Sequence, residues 1–312
     1  MELHAEEIKA RLKASVEAAG AIAFGVAKAG ETDPALDGQF ARWLDSGGHA
    51  SMQWLERHRT LRTDPANVLP GVESVVSIAF PYFRRERRPA SLPRISMYAY
   101  GADYHDVIRK KLKPLRREFE ALTGARTRVC VDSAPIPERY WALKAGIGRR
   151  GDNGTVIIDG YGSFFFLCEL LTDLPLPPDE PSTLECSHCG RCRKSCPGNA
   201  IRPDGTLACR RCLSFLTIER NPDEPLPDES RIALESEEGR ATLFGCDICQ
   251  LVCPHNAAIL RSEAGTTPAP VTETLERVLC LNPASMTDDD WETTTRGTAL
   301  RRALKLLKTN RP

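Results

Sequence analysis

Apolar positions Ile8, Leu12, Val16 and Ala19 recur at three- and four-residue spacing, which predicts an amphipathic helix over 4–19 closed by Gly20. A strand is expected next, at 21–27. The β-branched runs SVVSIAF (74–80), RTRVCV (126–131) and TVIID (155–159) predict further strands, and helix-period stretches at 104–122 and 137–145 alternate with them. That alternation predicts an α/β or α+β domain over 1–172. The run DLPLPPDEP (173–181) holds four prolines in nine residues, too many for a regular element, so 173–182 is expected to be a linker. A cysteine-rich domain at 183–260 and a short helical segment at 261–312 complete the expected organisation.

The most apolar run, 164–171, is eight residues long and contains Glu169, whereas a membrane-spanning helix needs about 20. Residues 1–20 are charged throughout and lack an apolar stretch with a cleavage signal, so a cytoplasmic protein with no membrane partner is expected. Lys plus Arg and Asp plus Glu number 42 each, giving zero net charge. No global field therefore recruits nucleic acid, and such a partner must use local patches. Charge is segregated, with acidic stretches at 179–185 and 219–238 and basic islands at 84–88, 109–117, 149–150, 191–194, 210–211 and 296–311. Any one such run is usually a solvated face, but several flanking one site can contact phosphates.

Twelve cysteines change the picture, because nine lie between Cys186 and Cys253. In a reduced compartment such density points to ligands or catalysts before disulfides. Cys186, Cys189, Cys192 and Cys196-Pro197 give C-x2-C-x2-C-x3-C-P, the run that holds iron-sulfur clusters in bacterial ferredoxins. In that geometry the fourth cysteine serves the other cluster. Cys246, Cys249 and Cys253-Pro254 repeat the ends of the run without its middle ligand. One cluster is therefore expected on Cys186, Cys189, Cys192 and Cys253, and a second on Cys196, Cys246, Cys249 and either Cys209 or Cys212. Structural zinc on paired C-x2-C knuckles needs neither the third evenly spaced cysteine nor the Cys-Pro ends. Cys130, Cys168 and Cys280 read as small buried hydrophobes.

Two motifs read as decoys. Gly146-Ile-Gly148-Arg-Arg-Gly151 matches G-x-G-x-x-G but follows a helical stretch instead of ending a strand. Asp103-Tyr-His105 begins like a D-x-H-x-x-G corrinoid motif, yet Ile108 holds the glycine position, so His105 reads as a helix-surface histidine.

Taken together, LRTDPANVLPGVESVVSIA (61–79), YGADYH (100–105), VDSAPIPERYWALKAGIG (131–148), GSFFFLCELLTD (162–173), the CSHCGRCRKSCP run (186–197), RRCLSFLTIE (210–219), FGCDICQLVCPHN (244–256) and RGTALRR (296–302) resemble the epoxyqueuosine reductase family. The resemblance implies an α/β cobalamin-binding domain at 1–172, a ferredoxin-like domain with two 4Fe-4S clusters, and a helical C-terminal tail. It implies reduction of epoxyqueuosine to queuosine at the wobble position of tRNA. It further implies that Asp132 is the proton donor, a carboxyl kept protonated by an apolar setting, and that Cys212 rather than Cys209 completes the second cluster. Arg62, Ala99, Asp132, Val156, Leu167, Leu170, Ser214, Cys246, Asp247, Ile248 and Cys249 are the implied cobalamin contacts. The implied partners are a tRNA anticodon stem-loop with a GUN anticodon and an external low-potential electron donor, acting on a monomer.

Three departures stand against the family pattern: Arg149, Arg150, Gly151, Asp152 and Asn153 where Trp-Ile-Gly-Lys-Asn is usual, Met97 for an arginine, and Cys168 for a glycine. The expected rivals are a corrinoid reductase acting on another small substrate, as in dehalogenation, and an electron-transfer module without cobalamin. The second rival leaves the first ~170 residues without a task, since a two-cluster ferredoxin needs only the cysteine-rich part.

Overall fold

A computed structural model describes residues 4–261 and 273–310. The first helix runs Ala5–Ala18 and buries Ile8, Leu12 and Val16, as its spacing requires, and Glu7 closes its start by accepting from the His4 N–H at 3.0 Å. A second long helix, Tyr104–Thr123, starts at the N-cap Asp103 and buries Ile108, Leu112 and Phe119 on the same core. Among the described residues no helix is long and apolar enough to cross a membrane.

Four strands form the main sheet in the spatial order Ala23–Lys28, Ser74–Pro81, Phe165–Thr172, Thr127–Cys130, and all three pairings are antiparallel. The α/β expectation is therefore corrected: every pairing is antiparallel, so the layer is of the α+β kind, although Tyr104–Thr123 crosses over Phe165–Thr172 to join Ser74–Pro81 to Thr127–Cys130, which run the same way. The central strand Phe165–Thr172 has no alternation in its sequence, since it is paired on both edges and covered on both faces. The run at 155–159 does not join this sheet; only Val156–Ile157 pairs, with Arg149–Arg150, in a separate hairpin. This explains the glycine decoy. Gly148 has φ +65°, and a Cβ there would sit 2.4 Å from the Ile157 carbonyl oxygen, so the hairpin itself demands glycine.

Strand alternation sorts the central residues to two faces. Phe166, Cys168 and Leu170 face the two long helices. Leu171 packs on the other side with Val75, Cys130, Trp141 and Ala145, beneath the short helix Glu138–Lys144. The register sets Glu169 opposite Ser77 on one neighbour and Cys130 on the other.

The two halves of the chain are stitched together. Arg94–Ile95 pairs in parallel with Thr242–Phe244, and Ile95 and Ala99 share a core with Leu243, Phe244, Val278, Trp291 and Leu300. The proline-rich linker is held to the first layer by Asp179, which pairs with Lys9 at 2.7 Å and accepts from the Val26 N–H at 2.8 Å. The basic tail is not a free arm. Leu300, Ala303 and Leu306 are buried, Arg301 pairs with Glu292 at 3.0 Å, and Lys305 pairs with Asp223 at 2.8 Å. Cys130 and Cys168 are buried as expected, whereas Cys280 is exposed on its helix, contrary to the reading of it as a buried hydrophobe.

Gly25, in the first strand, lies under the helix Glu138–Lys144, where a Cβ would meet the Ala145 carbonyl oxygen at 2.0 Å. Both partners are backbone, so Gly25→Ala must push the helix off the sheet. We expect a loss of about 1–3 kcal/mol of stability, read by denaturant unfolding.

Candidate active site

Asp132 lies two residues past the edge strand Thr127–Cys130 and has φ +52°, a strained conformation for a residue with a side chain. Its N–H donates to Glu138 Oε1 at 2.6 Å, and its Oδ2 lies 3.1 Å from His105 Nε2. His105 Nδ1 sits 2.6 Å from Oδ1 of Asp103, the residue that caps the same helix. The Tyr104 hydroxyl also bonds Asp132, while the Tyr104 ring stacks on His105 at 4.1 Å and on Phe166 at 4.2 Å. His105 is thus a bridge between two carboxylates, not the helix-surface histidine its motif suggested.

These contacts decide where the proton sits. Desolvation pushes the Asp132 carboxyl up, but bonds from His105 and Tyr104 outweigh it and hold Asp132 below the usual range. The Asp132 bond raises His105, against the opposing effect of burial. An Asp132 kept protonated by apolar surroundings is therefore not what the geometry favours. The pair is an imidazolium beside a carboxylate, so the one proton it can release sits on His105 and can pass outward through Asp132. The alternative that Asp132 only caps the next turn has no support, since its carboxylate goes to His105 and Tyr104.

Asp132 opens onto a cleft of about 340 Å³. Val156, Phe165 and Leu167 give it apolar walls, Leu213 and Ser214 add a further side, and Cys196, Cys212, Cys246 and Cys249 line it as well. A second, much smaller cavity is lined by Cys186, Cys189, Cys192 and Cys253. Cys209 lines neither; it is buried against Ala50 and Leu213. Positive φ at His188 and Gly190 curls the first loop so that its thiols converge. Burial pushes the Cys246 thiol up to about 12 and raises Cys212 and Cys249 too, with the neighbouring sulfurs adding to the effect. Four thiolates crowded in so dry a setting call for a cationic centre to stabilise them.

Of the residues singled out for the cofactor, Asp132, Val156, Leu167, Ser214, Cys246, Ile248 and Cys249 line the large cleft. Leu170 does not, because alternation turns it to the opposite face among Ile8 and Leu12. Ala99 is buried in the core beside Leu243 and Trp291. Asp247 spends its carboxylate on the Ser96 hydroxyl and on the Met97 N–H, at 2.8 Å. The Arg62 guanidinium packs over Trp54 at 5.1 Å, close enough to Asp132 and Glu138 to feel their charge. The departing segment 149–153 lies by the cysteines: Asn153 lines both cavities, and Asp152 Oδ1 meets His188 Nδ1 at 2.7 Å.

Residues 62–133 match the family model "Epoxyqueuosine reductase QueG, DUF1730", and residues 185–256 match "4Fe-4S double cluster binding domain". A curated epoxyqueuosine reductase from Synechococcus sp. is 37% identical over 84% of this chain and 78% of its own, and one from Gloeobacter violaceus is 36% identical over 94% and 91%. The chain belongs to the epoxyqueuosine reductase family. It spans only 60% of the length of the Vibrio cholerae member, to which it is 44% identical over 72% of this chain. Two solved epoxyqueuosine reductases share its fold. One, with an epoxyqueuosine-modified stem-loop of tyrosine tRNA, is 27% identical with a TM-score of 0.82 over 98% of this chain and 80% of that one. The other, from Bacillus subtilis, is described with its catalytic aspartate loop swung out of the active site. It is 26% identical with a TM-score of 0.79 over 98% and 81%.

Sequence reasoning missed Tyr104, His105 and Glu138 as site residues. The capping Asp103 before two aromatic rings and the glutamate six residues after Asp132 were the available signals, but only the fold brings them together.

The pair makes a titration prediction. His105, raised, contributes stability present below about pH 6.5 and lost as pH rises through its folded value. Asp132, lowered, contributes stability present above about pH 3.9 and lost as pH falls through its folded value. The pairing should therefore stabilise most between those limits. An NMR titration should place the His105 imidazole above 6.5, and Asp132→Asn should bring it down.

Proposed function

We propose that this chain reduces the epoxide of epoxyqueuosine to the alkene of queuosine at the wobble position of tRNA. The observation that carries the reading is the division of eight cysteines into two sets of four, one of which shares its cleft with the Asp132–His105 pair. On this reading one 4Fe-4S cluster is held by Cys186, Cys189, Cys192 and Cys253, and the other by Cys196, Cys212, Cys246 and Cys249. The donor sets fit, since each cavity presents four thiols and no fifth. Cobalamin fits the large cleft between its apolar walls and the second cysteine set, with no histidine among the lining residues to take the metal. When bound, cobalamin supplies reducing electrons at the substrate carbon.

Conversion of an epoxide to an alkene consumes two electrons and two protons and releases the oxygen as water. The chain's own part is the proton. Asp132, exposed in the cleft, relays to the oxygen the proton held on His105, Asp103 keeps the imidazole oriented, and the second proton comes from solvent as the pair is recharged. Tyr104, stacked against Phe166, keeps the imidazole from turning away. The apolar walls exclude water that would otherwise protonate the wrong site.

The partners on this reading are a tRNA stem-loop with a GUN anticodon and an external low-potential electron donor, with the chain acting as a monomer in the cytoplasm. Basic residues near the cysteines, Arg150, Arg191, Lys194 and Arg210, carry more of the phosphate contact than the tail, where Arg301 and Lys305 are already ion-paired.

Anaerobic analysis should find about eight irons per chain. Cys212→Ser should lose about half of them and Cys209→Ser none; stoichiometric zinc without iron would overturn the cluster assignment. With clusters and cobalamin loaded, Asp132→Asn should lower turnover on epoxyqueuosine tRNA about 10²-fold or more. A loaded protein that reduces nothing on that tRNA would point to another substrate for the same site.

A further inference from the structure

Asp132 holds a left-handed backbone, which a short polar side chain tolerates better than most but which still needs support. Such a conformation persists only where the surroundings over-determine it. His105 and Tyr104 act on the carboxylate, but only Glu138 acts on the backbone, through the 2.6 Å bond from the Asp132 N–H. Glu138 opens the helix Glu138–Lys144 and lines the large cleft.

Behind it stands Glu169, fully buried in the central strand. Neither of its oxygens, nor the facing Ser77 hydroxyl, meets hydrogen-bond geometry among the described residues. The charged and titratable groups that face Glu138 are Asp132, Arg139, Arg62, Glu169, Tyr104 and the Cys130 and Cys168 thiols. Glu138 and Glu169, desolvated and close to each other and to Asp132, cannot readily ionise alongside it. Asp132 alone has an imidazolium beside it, so the negative charge collects there. Burial, and then the charge of Asp132, pushes Glu138 up to about 8, and burial holds the Glu169 carboxyl well above the usual carboxylate range.

We propose that Glu138 is the positioning residue for Asp132: its carboxyl oxygen pins the Asp132 peptide into the cleft and so holds the Asp132 carboxylate against His105, on the side of the imidazole opposite Asp103. Glu169 sits behind it as a neutral wall. The proposal rests on the reading of Asp132 and His105 as the proton source.

The test is NMR titration of His105 in the cluster-loaded protein, with iron content confirming that each variant is intact. Glu138→Gln keeps both the acceptor oxygen and neutrality, so His105 should titrate as in the wild type. Glu138→Ala loses the acceptor, releases Asp132 and should return His105 toward 6.5. An unchanged His105 in Glu138→Ala overturns the proposal.

If Glu138→Ala fails to assemble, the Asp132 carboxyl carbon signal serves instead. In the wild type it should shift a second time near pH 8, as Glu138 ionises beside it, and in Glu138→Gln that shift should vanish. Its absence from the wild type, or its persistence in Glu138→Gln, also overturns the proposal. Failure of the underlying reading looks different: Asp132→Asn would then leave His105 where it was, whatever the Glu138 variants do.

Discussion

The strand Phe165–Thr172 exchanges backbone hydrogen bonds along both edges, and its side chains must alternate between two buried faces. The acid side of the cleft is placed by that alternation. Phe166 faces the long helices, where the Tyr104 ring stacks on it and so carries His105. Phe165 and Leu167 face the other way, into the cleft. Glu169 follows on that same face, at the register position of Cys130, so the chain leaving the edge strand delivers Asp132 beside the carboxyls of Glu138 and Glu169. A buried carboxyl costs folding free energy; with Glu169 fully buried, the cost falls in the strand that sets the geometry of the site.

What could be read from the sequence depended on whether the signal was local. Cysteine spacing is a property of a few consecutive residues, and the two sets of four expected from it line two separate cavities. The helices Ala5–Ala18, Tyr104–Thr123 and Glu138–Lys144 were likewise written in local periodicity and caps. Strand direction is not local: the same alternation of helices and strands suits parallel and antiparallel sheets, and only the long-range pairing decides. The central strand was illegible for a related reason, since burial on both faces erases its period. Leu170 was misplaced because a motif aligns residues without saying which face they take. His105 was dismissed because its partner, Asp132, lies 27 residues away in the chain.

Electrostatics ties the two functional regions together by opposite means. At the acid, three carboxyls are kept from sharing charge, and the imidazole lets only one ionise. At the cysteines of the cleft, burial opposes ionisation of Cys212, Cys246 and Cys249 together, and the neighbouring sulfurs make it worse. The first arrangement is complete within the protein; the second is complete only when a cation joins it. Removing the metal should therefore leave the acid's wiring intact while loosening the cleft wall formed by Cys196, Cys212, Cys246 and Cys249.

The two-residue parallel pairing of Arg94–Ile95 with Thr242–Phe244 also sets a clock on biosynthesis. Ile95 leaves the ribosome well before its partner exists, and at about 5–20 residues per second the wait is roughly 7–30 s. During that interval Ile95 and Ala99 have no core to enter, because Leu243, Phe244, Trp291 and Leu300 are still to be made. The first layer can form on the nascent chain, but the cleft cannot close around any ligand until residues 242–300 have been made. The cysteines at 186–253 emerge within the same window, so metal can meet them before the fold around them is complete.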